Sequence, residues 1–443
     1  MSNDNKVFGM PAEAGRWIFV ALGMVINLCL GTVYAWSVFR GPLAKYFSTE
    51  THTVTALDTL WPYMLFLGLF AAAMPVGGKL VQRGVSPRII TIVGSAIVAL
   101  GWLLSGFASS LNMLYLSYGV LGGLGVGLAY GIPIAVAARW FPDKKGLAVG
   151  CTVLGFGLSA LITAPLATAL MTPLPGMDVG AFKMFGVFLF TLSAVGVMAA
   201  FKTFGIAFLI ITFLCALPLR FPETGWQPAG WNAGGAGGTA AAADITGSAL
   251  VGTTTFYGLW FCYLVGALSG LMAIGISADV GKEIIKLDPT TTATLVSVFA
   301  LFNGGGRPLF GWLTDTITPR YAAALSCLII LLASLGMYLF AGDGRTLLYA
   351  ACSCGFWMCL GGWLAIAPAS TATFFGMKNY AFNYSIVFSA YGVGAMIGGL
   401  VSGFAKDIYG SYLNAFLVTG VLGLLGIIVA LTLVKPPKAA VAG

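Results

Sequence analysis

The chain has 443 residues, of which 59% are hydrophobic and only 8% are charged, and its formal net charge is +8. Soluble domains carry about 25% charged residues, and a soluble protein of this length could not bury so much apolar surface in its own core. The composition therefore excludes a soluble globular protein and predicts an integral membrane protein, while the positive charge, spread over loops, reflects orientation in the membrane and not binding to nucleic acid.

Long apolar runs recur along the whole chain. About twenty consecutive apolar residues span a bilayer as a helix. Such runs predict twelve spans, at 17–39, 60–82, 89–108, 112–138, 146–171, 203–219, 254–280, 291–313, 322–341, 346–371, 384–404 and 412–434. The first run is too long for the core of a signal peptide and lacks a clear cleavage site, so it predicts a retained helix. The expected fold class is an all-α, multi-pass membrane protein.

The spans divide into two groups of six. Residues 222–249 lie between the groups, are rich in Gly and Ala, and predict a flexible linker. The expected domains are an N-terminal half, 1–221, and a C-terminal half, 250–443. Residues 156–162 (Phe-Gly-Leu-Ser-Ala-Leu-Ile) match 391–397 (Tyr-Gly-Val-Gly-Ala-Met-Ile), which indicates an internal repeat. Parallel halves of this kind are a transporter architecture, with the substrate site at their interface near the membrane midplane.

One further apolar run, 184–200, does not fit the two groups of six. The sequence Ala-Phe-Lys-Met-Phe-Gly at 181–186 recurs as Ala-Phe-Lys-Thr-Phe-Gly at 200–205, which indicates a local tandem duplication. A thirteenth span here would invert the second half and contradict the parallel repeat. An external hairpin, an interfacial segment or a lengthened sixth helix is therefore expected, and thirteen spans remain the alternative.

Lysine and arginine mark the cytoplasmic side of a membrane protein. In the first half, basic residues are concentrated on one side: Lys6, Arg16, Lys79, Arg83, Arg88, Arg139, Lys144 and Lys145, against Arg40 and Lys45 on the other. In the second half the basic residues are divided equally between the two sides, so the orientation of this half is taken from the repeat. We therefore expect both termini and the linker to be cytoplasmic. The expected location is the plasma membrane, which is the inner membrane in a Gram-negative cell.

A single arginine stands inside the eighth apolar run. Arg307 lies in the sequence Phe-Asn-Gly-Gly-Gly-Arg-Pro at 302–308, and the run contains no Asp or Glu. A charge inside the membrane costs about 2.5 kcal/mol or more, so it persists where it meets water, a partner or a substrate. Asn303 shares its helix face, and an amide beside a guanidinium can seat a carboxylate. Snorkelling of Arg307 to the cytoplasmic end of the helix is the alternative.

Tyrosine hydroxyls are the second set of candidates, because each can donate a hydrogen bond from an apolar ring. They are Tyr34 in the first span, Tyr118 and Tyr130 in the fourth, and Tyr391 in the eleventh; packing or a place in the interfacial aromatic belt is the alternative for each. Asp279, near the outer end of the seventh span, is the candidate for proton coupling, since a buried carboxyl can exchange a proton. A solvated carboxylate at the helix end is the alternative for Asp279.

The loop between the eighth and ninth spans resembles a signature of the major facilitator superfamily. Gly311, Asp315 and Arg320 match its Gly-x-x-x-Asp…Arg pattern, which in that superfamily latches the cytoplasmic ends of helices. The equivalent loop of the first half has Lys79 and Arg83 at the Gly and Asp positions, so this gating role is in doubt there. With twelve spans and a parallel repeat, the resemblance implies the fold of that superfamily, two six-helix pseudo-repeats.

Further motifs resemble the oxalate/formate antiporter family of that superfamily, which overlaps with bacterial relatives of the proton-coupled monocarboxylate transporters. They are Gly-Thr-Val-Tyr-Ala-Trp-Ser at 31–37, Gly-Leu-Ala-Tyr-Gly at 127–131, Arg-Trp-Phe-Pro-Asp-Lys-Lys-Gly-Leu-Ala at 139–148, and the sequence 303–308. The resemblance implies that Arg307 anchors the carboxylate of the substrate. Asn303, Tyr34 and Tyr130 are then expected to line the cavity. The oxalate carriers have Lys in the eleventh helix, where this chain has Tyr391.

We expect a secondary transporter, and not an enzyme, that works by alternating access. A proton-coupled symporter of a monocarboxylate such as lactate is favoured, because one membrane-embedded cation with neutral phenols matches one carboxylate, whereas a dianion needs two cations. An oxalate/formate-type antiporter is the alternative. A carrier of another solute, or a membrane enzyme or signalling protein, also remains. We expect no catalytic site, metal or cofactor; the expected partners are the anion, a proton and the lipid bilayer, and the expected state is a monomer.

Overall fold

The computed structural model describes residues 6–50, 53–174, 176–184, 187–223, 225–228, 245, 247–376 and 380–437. Within these residues the chain forms twelve long apolar helices: α1 (Ala12–Phe47), α2 (Ala56–Gln82), α3 (Pro87–Ser105), α4 (Leu111–Trp140), α5 (Lys145–Met171), α6 (Gly196–Ala216), α7 (Thr254–Glu283), α8 (289–317), α9 (319–340), α10 (Thr346–Phe375), α11 (Tyr380–Tyr409) and α12 (Leu413–Leu433). We call the side of the bundle at which α1 begins the near side, and the side at which α1 ends the far side. The predicted all-α membrane architecture is confirmed.

The segment Pro289–Phe340 holds two crossings, although its helical assignment is continuous. Its 52 residues would extend about 78 Å as one helix, more than twice the hydrocarbon thickness of about 30 Å. Thr318 has φ 75° and ψ 155°, outside the helical region, and Pro319 follows. The chain therefore turns back at this point, which separates α8 from α9 and gives twelve spans within the described residues.

The first helix is longer than its apolar run predicts. It follows two short paired strands, β1 (Lys6–Val7) and β2 (Met10–Pro11), and it continues through a 3₁₀ segment, Gly31–Ala35, to Phe47. The 3₁₀ segment begins where α1 lies against the backbone of Phe156 on α5, with no room for a side chain between them. The extension places Arg40 inside the helix and not in a loop.

The run 184–200 forms a hairpin and the start of a helix. Strand β3 (Val179–Met184) pairs antiparallel with β4 (Val187–Ser193), and α6 begins at Gly196, seven residues earlier than expected. Gly180 and Phe182 alternate toward the protein, and the ring of Phe182 stacks on Phe190 with centroids 4.8 Å apart. In the described part of the chain there is no thirteenth span, because this period of two makes a ribbon and not a helix.

The two halves meet along two pairs of helices. α2 packs on α11, and α5 packs on α8. Gly304 of α8 lies against Leu154 and Leu158 of α5, and Gly392 of α11 lies against Ala71 of α2. Small residues let membrane helices approach closely, which is the usual basis of their association. The interface therefore brings α2 and α5 of one half against α11 and α8 of the other.

Most of the predicted linker, 222–249, lies outside the described residues, so its flexibility stays a prediction. Its first part follows α6, where Trp226 packs edge-on against Trp140 at the end of α4, with ring centroids 4.9 Å apart. Its last part ends in one helical turn, Gly247–Leu250, just before α7. Both described ends of the linker lie on the near side, because α6 ends there and α7 begins there.

Candidate substrate site

Arg307 lies well inside the bundle, at the contact between α8 and α5. It is 5% exposed and ten residues before the end of α8, so it lies about 15 Å from that end. Its Nη1 atom donates a hydrogen bond of 2.6 Å to the backbone carbonyl of Val153 on α5. The guanidinium is therefore held across the interface between the halves and does not snorkel to the helix end.

The guanidinium of Arg307 forms no ion pair with any carboxylate in the described part of the chain. Nη2 makes a long bond of 3.4 Å to Oδ1 of Asn303, and Nε has no partner. The amide of Asn303 is oriented by its other end, since Nδ2 donates to the carbonyl of Trp357 on α10 at 3.0 Å. A buried charge with spare donors is an arrangement suited to receiving an anion.

Three of the four candidate tyrosines join Arg307. Tyr34 and Tyr391, from opposite halves, share a hydrogen bond of 2.9 Å between their hydroxyls. The hydroxyl of Tyr130 lies beside the Arg307 guanidinium, and the ring of Phe156 stands edge-on to Tyr34 and Tyr130 with centroids 5.1 Å apart in each case. We call this set the central cluster: Arg307, Asn303, Tyr34, Tyr130 and Tyr391.

Tyr118 does not join the central cluster. It is fully buried inside the N-terminal half, where its ring stacks on Trp36 at 4.3 Å and meets Trp102 edge-on at 5.2 Å. Its hydroxyl has no hydrogen-bond partner among the described residues. Tyr118 lies twelve residues before Tyr130 on α4, toward the far side, and its contacts are those of a packing residue.

Gly157 on α5 is a site residue that the sequence patterns did not single out. A Cβ atom at this position would lie 2.8 Å from Oδ1 of Asn303 and 3.1 Å from both Nε and Nη2 of Arg307. Such distances are shorter than ordinary van der Waals contact, so the guanidinium occupies the space that a side chain would take. The repeat motif 156–162 contains this glycine, but the motif by itself does not show what the glycine faces.

A second arginine is buried in the membrane-spanning part, on α1. Arg40 is 2% exposed, and its guanidinium forms an ion pair with Asp279 of α7, which is itself 8% exposed. It also donates to Oγ1 of Thr59 at 3.1 Å and to the hydroxyl of Tyr412 at 3.0 Å. Carbonyl oxygens of Ala56 and Gly275 accept its remaining bonds. The solvated alternative for Asp279 and the assumption of a single membrane-embedded cation are therefore both wrong, because α1 extends further than predicted.

Two more contacts join the two halves at the far side. The carboxylate of Asp407, at the end of α11, accepts hydrogen bonds from the backbone N–H groups of Ala56 (2.8 Å) and Leu57 (2.9 Å), the first residues of α2. An anion at a helix N-terminus is stabilised by the unpaired N–H groups and the helix dipole. The hydroxyl of Tyr63 donates to the carbonyl of Leu271 at 2.8 Å. The two halves are thus closed against each other at the far side.

The residues of the predicted gating loop form no ion pair among the described residues. Asp315 is exposed, Gly311 is half-buried, and Arg320 lies over the ring of Tyr321 at 5.5 Å. On the near side of the first half, Arg16 instead pairs with Glu13 and donates to both carboxylate oxygens of Asp143 at 2.6 and 2.9 Å.

Asp143 belongs to the motif Arg-Trp-Phe-Pro-Asp-Lys-Lys at 139–145. The Arg16 guanidinium beside Asp143 holds the pKa of that carboxyl below its ordinary value. Arg16 also donates to the carbonyl of Trp140 at 3.0 Å and lies over the ring of Phe141 at 4.3 Å. The motif therefore fastens the start of α1 to the end of α4, within one half of the protein.

The sequence profile of the Major Facilitator Superfamily matches residues 20–367 and 255–442. With twelve spans in two packed halves and a polar cluster at their interface, this match shows that the chain belongs to the major facilitator superfamily.

Within that superfamily the chain is similar to the oxalate:formate antiporter of Oxalobacter formigenes, with 29% identity over 411 residues that cover 92% of this chain and 88% of that protein. It is also similar to human monocarboxylate transporter 11, with 26% identity over 427 residues covering 94% and 83%. These relatives confirm the resemblance drawn from the motifs.

Among solved structures, the chain matches a bacterial homologue of the human lysosomal transporter Spinster, in an inward-facing and unoccupied conformation. The TM-score is 0.70 at 15% sequence identity, with 95% of this chain and 96% of that one covered. At this level of identity the similarity shows the fold alone.

Proposed function

We propose that this protein is a secondary carrier of small organic anions that moves a monocarboxylate such as lactate together with a proton, by alternating access. The observation that carries the proposal is Arg307, buried between the halves without a carboxylate partner in the described residues. A guanidinium offers a carboxylate two parallel hydrogen bonds. The relatives named as carriers of oxalate, formate and monocarboxylates support an organic anion as the substrate.

The charge of the central cluster favours one carboxylate over two. Arg307 brings the only cation of the cluster, and Tyr34, Tyr130 and Tyr391 bring neutral phenols. The other arginine buried in the membrane-spanning part, Arg40, is neutralised by Asp279. A dianion would leave one of its charges without a partner in a medium of low dielectric, which is costly. A monocarboxylate leaves none.

The hydroxyl pair of Tyr34 and Tyr391 supports a substrate with a second polar group. Each hydroxyl has one donor and two acceptor positions, and the bond between them uses one of each. A 2-hydroxy or 2-oxo group next to the carboxylate fits this combination. Because the two tyrosines come from opposite halves, a substrate between them would contact both halves at once, as alternating access requires.

We assign the near side to the cytoplasm and the far side to the exterior, on the basis of the basic residues of the first half. The far side is held closed by Arg40 with Asp279 and by Asp407 on α2. Opening to the exterior has to break these contacts. Labelling of single cysteines in the linker, with a reagent that does not cross the membrane, checks the orientation: linker cysteines should stay unlabelled in intact cells.

Asp279 is the proposed proton site. It is the carboxylate that holds the guanidinium of Arg40 across the halves, and protonation would remove its charge and weaken the ion pair. Proton binding would in this way favour opening of the far side, where the proton enters with the anion. An inward-directed proton gradient should then drive uptake, and Asp279→Asn should abolish that drive while leaving exchange of anions measurable.

An oxalate/formate-type antiporter is the second candidate, supported by the similarity to the Oxalobacter formigenes protein. The two candidates differ in what they need on the other side of the membrane. A symporter accumulates its substrate into empty vesicles when a proton gradient is applied. An antiporter requires a counter-anion inside the vesicle, and it does not accumulate its substrate in empty vesicles when a proton gradient is applied.

Uptake by purified protein in proteoliposomes tests both candidates. Labelled lactate, acetate, formate and oxalate are offered to vesicles that are empty or preloaded with each anion, with and without a proton gradient. Lactate accumulation in empty vesicles under a gradient is the expected result. Tight oxalate transport that ignores lactate and depends on preloading would overturn the monocarboxylate proposal, and transport of no anion would overturn the carrier assignment to this substrate class.

A further inference from the structure

A cavity of about 250 Å³ opens on the far side, where α1 and α5 of one half meet α7 and α8 of the other. Two lysines line it, Lys45 from the N-terminal half and Lys282 from the C-terminal half, together with Thr168 of α5 and Thr172, the residue that follows α5. No Asp or Glu is among its lining residues in the described part of the chain. We call this cavity the far-side vestibule.

The vestibule lies on the same helix faces as the central cluster. On α1, Val38, Pro42 and Lys45 line the vestibule and follow Tyr34 at four, eight and eleven positions, which is one face of a helix. Eleven residues correspond to about 16 Å along the axis. On α5, Thr168 follows Gly157 by the same eleven positions. The vestibule is therefore the far-side end of the path that leads to Arg307.

A packed layer separates the vestibule from the central cluster. On α5 the layer is made by Ala160 and Ala164, and on α8 by Val296 and Ala300, all with no exposed surface. Val296 and Ala300 share the face of α8 that carries Arg307. An anion that arrives from the far side in this conformation can reach the vestibule but not Arg307.

The acidic residues near the vestibule are already engaged. Asp279, one helical turn before Lys282, is paired with Arg40, and Glu283 is paired with Lys406. The carboxylate of Asp288 caps α8 by accepting from the N–H groups of its first residues, at 2.9 and 3.0 Å. Neither Lys45 nor Lys282 forms an ion pair among the described residues. The cavity therefore presents two ammonium groups without an ion-pair partner in the described residues, and Lys282 lies within electrostatic reach of Asp279.

The geometry points to a docking site for a small carboxylate in the far-side vestibule, held between Lys45 and Lys282 before the far side opens. The volume lies just below the range of about 300–1,000 Å³ found for pockets that hold drug-sized ligands, which suits an anion of a few heavy atoms. Ammonium groups attract carboxylates without demanding one geometry, and a funnel of one charge sign raises the local concentration of its ligand. The role as an entry site rests on the proposed function; the binding of carboxylate does not.

The test of binding uses lysine reactivity in the Arg307→Ala protein, which does not need to transport. A membrane-impermeant acylating reagent is applied from the far side, and the modification of each lysine is followed by mass spectrometry with lactate, acetate or choline present. Lactate and acetate should slow the modification of Lys45 and Lys282 by about two- to fivefold, with no effect on Lys286, an exposed far-side lysine outside the cavity. Equal slowing at all three lysines, or none, would overturn the docking site whatever the protein transports.

The test of the entry role uses transport by Lys45→Gln, Lys282→Gln and the double variant in right-side-out vesicles. At low ionic strength the KM for uptake from the far side should rise about two- to fivefold for each variant and about tenfold for both, with kcat unchanged. The rise should disappear at high salt, because exposed charges are screened. Lys286→Gln is the matched control. If the double variant has a normal KM at low salt while lysine protection is intact, the site binds anions but is not the entry site.

Discussion

Arg40 and Arg307 both bring a positive charge into the membrane-spanning part of the protein, and their surroundings differ. Arg40 meets a carboxylate, two hydroxyls and two carbonyl oxygens, so its charge and its donors are matched. Arg307 meets one carbonyl at 2.6 Å, one amide oxygen at 3.4 Å and the neighbouring hydroxyl of Tyr130, and its Nε is unused. A fully paired guanidinium fixes one arrangement of helices, whereas an incompletely paired one leaves a place for an anion.

The largest effect is expected when Arg307 is removed. Arg307→Ala should lower carboxylate transport by about 100-fold or more, because truncating one partner of a buried charge pair costs several kcal/mol. Arg307→Lys keeps the charge but loses the planar fork, so it should remain severely impaired. Uptake of labelled lactate into proteoliposomes, normalised to protein amount, measures both. Near-normal uptake by well-folded Arg307→Ala would refute its role as the anchor.

Removing one partner of the Arg40 pair should affect stability before it affects binding. Arg40→Gln leaves the carboxylate of Asp279 buried and unpaired, which should cost about 3–5 kcal/mol of unfolding free energy. The double variant Arg40→Gln with Asp279→Asn should recover a large part of this loss. Lys406→Gln, which breaks the more exposed pair with Glu283, is the control and should cost less than about 1 kcal/mol. Thermal or denaturant unfolding in detergent compares the four proteins; an Arg40→Gln protein as stable as the control would contradict the pairing.

A second cation in the central cluster should change which anions the cluster binds. Tyr391→Lys places an ammonium in the cluster, so oxalate affinity should rise about tenfold, in line with one charged hydrogen bond, and lactate affinity should not rise. Competition by oxalate against labelled lactate measures the change. Tyr391→Phe is the matched control, since it removes the hydroxyl without adding charge. A rise in oxalate affinity in the Phe variant as well would show that charge matching is not the cause.

A smaller effect is expected at Gly157. In Gly157→Ala the new methyl group must displace the guanidinium of Arg307 or the amide of Asn303 by a few tenths of an ångström. We expect KM for the anion to rise about fivefold, a loss of about 1 kcal/mol, with expression unchanged. Gly150 lies on the same helix with nothing within 4 Å of the position of its Cβ, so Gly150→Ala is the matched control. Equal kinetics of the two variants would show that Arg307 has room to move.

The smallest effect concerns a paired arginine outside the membrane. Arg16 lowers the pKa of Asp143, so the folded state binds this proton less readily than the unfolded state does. The stabilisation is therefore present above the unfolded pKa of Asp143 and is lost as the pH falls toward its lowered folded value. Asp143→Asn should flatten this part of the acid unfolding curve, whereas Asp315→Asn, at an exposed carboxylate, should not. Identical curves for the two variants would argue against the pairing.

Part of the site follows from sequence patterns alone. Arg307 and Asn303 stand four residues apart in an apolar run, and helical periodicity puts them on one face. Tyr34 and Tyr130 follow from motifs that resemble a known family. Tyr118, a candidate for the same hydroxyl chemistry, lies elsewhere, because the sequence does not distinguish a residue at the right depth of a helix from one at the wrong depth.

The class of protein and the number of spans could be predicted from the amino-acid sequence alone. These depend on hydrophobicity summed over about twenty neighbouring residues, which is a local property. The duplicated segment shows the limit of local properties: the copy at 200–205 is helical within α6, and Ala181–Met184 of the other copy is a strand in β3.

The folded bundle was needed to show which of the two arginines buried in the membrane-spanning part has a carboxylate partner. Arg40 pairs with Asp279, 239 positions away in the chain, and Arg307 donates to the carbonyl of Val153, 154 positions away. Such pairs form when α1 meets α7 and α8 meets α5, and that packing depends on small residues such as Gly304 on helices far apart in the chain. Whether a buried charge is matched is therefore a property of the assembled bundle, since its partners come from helices that no local pattern connects.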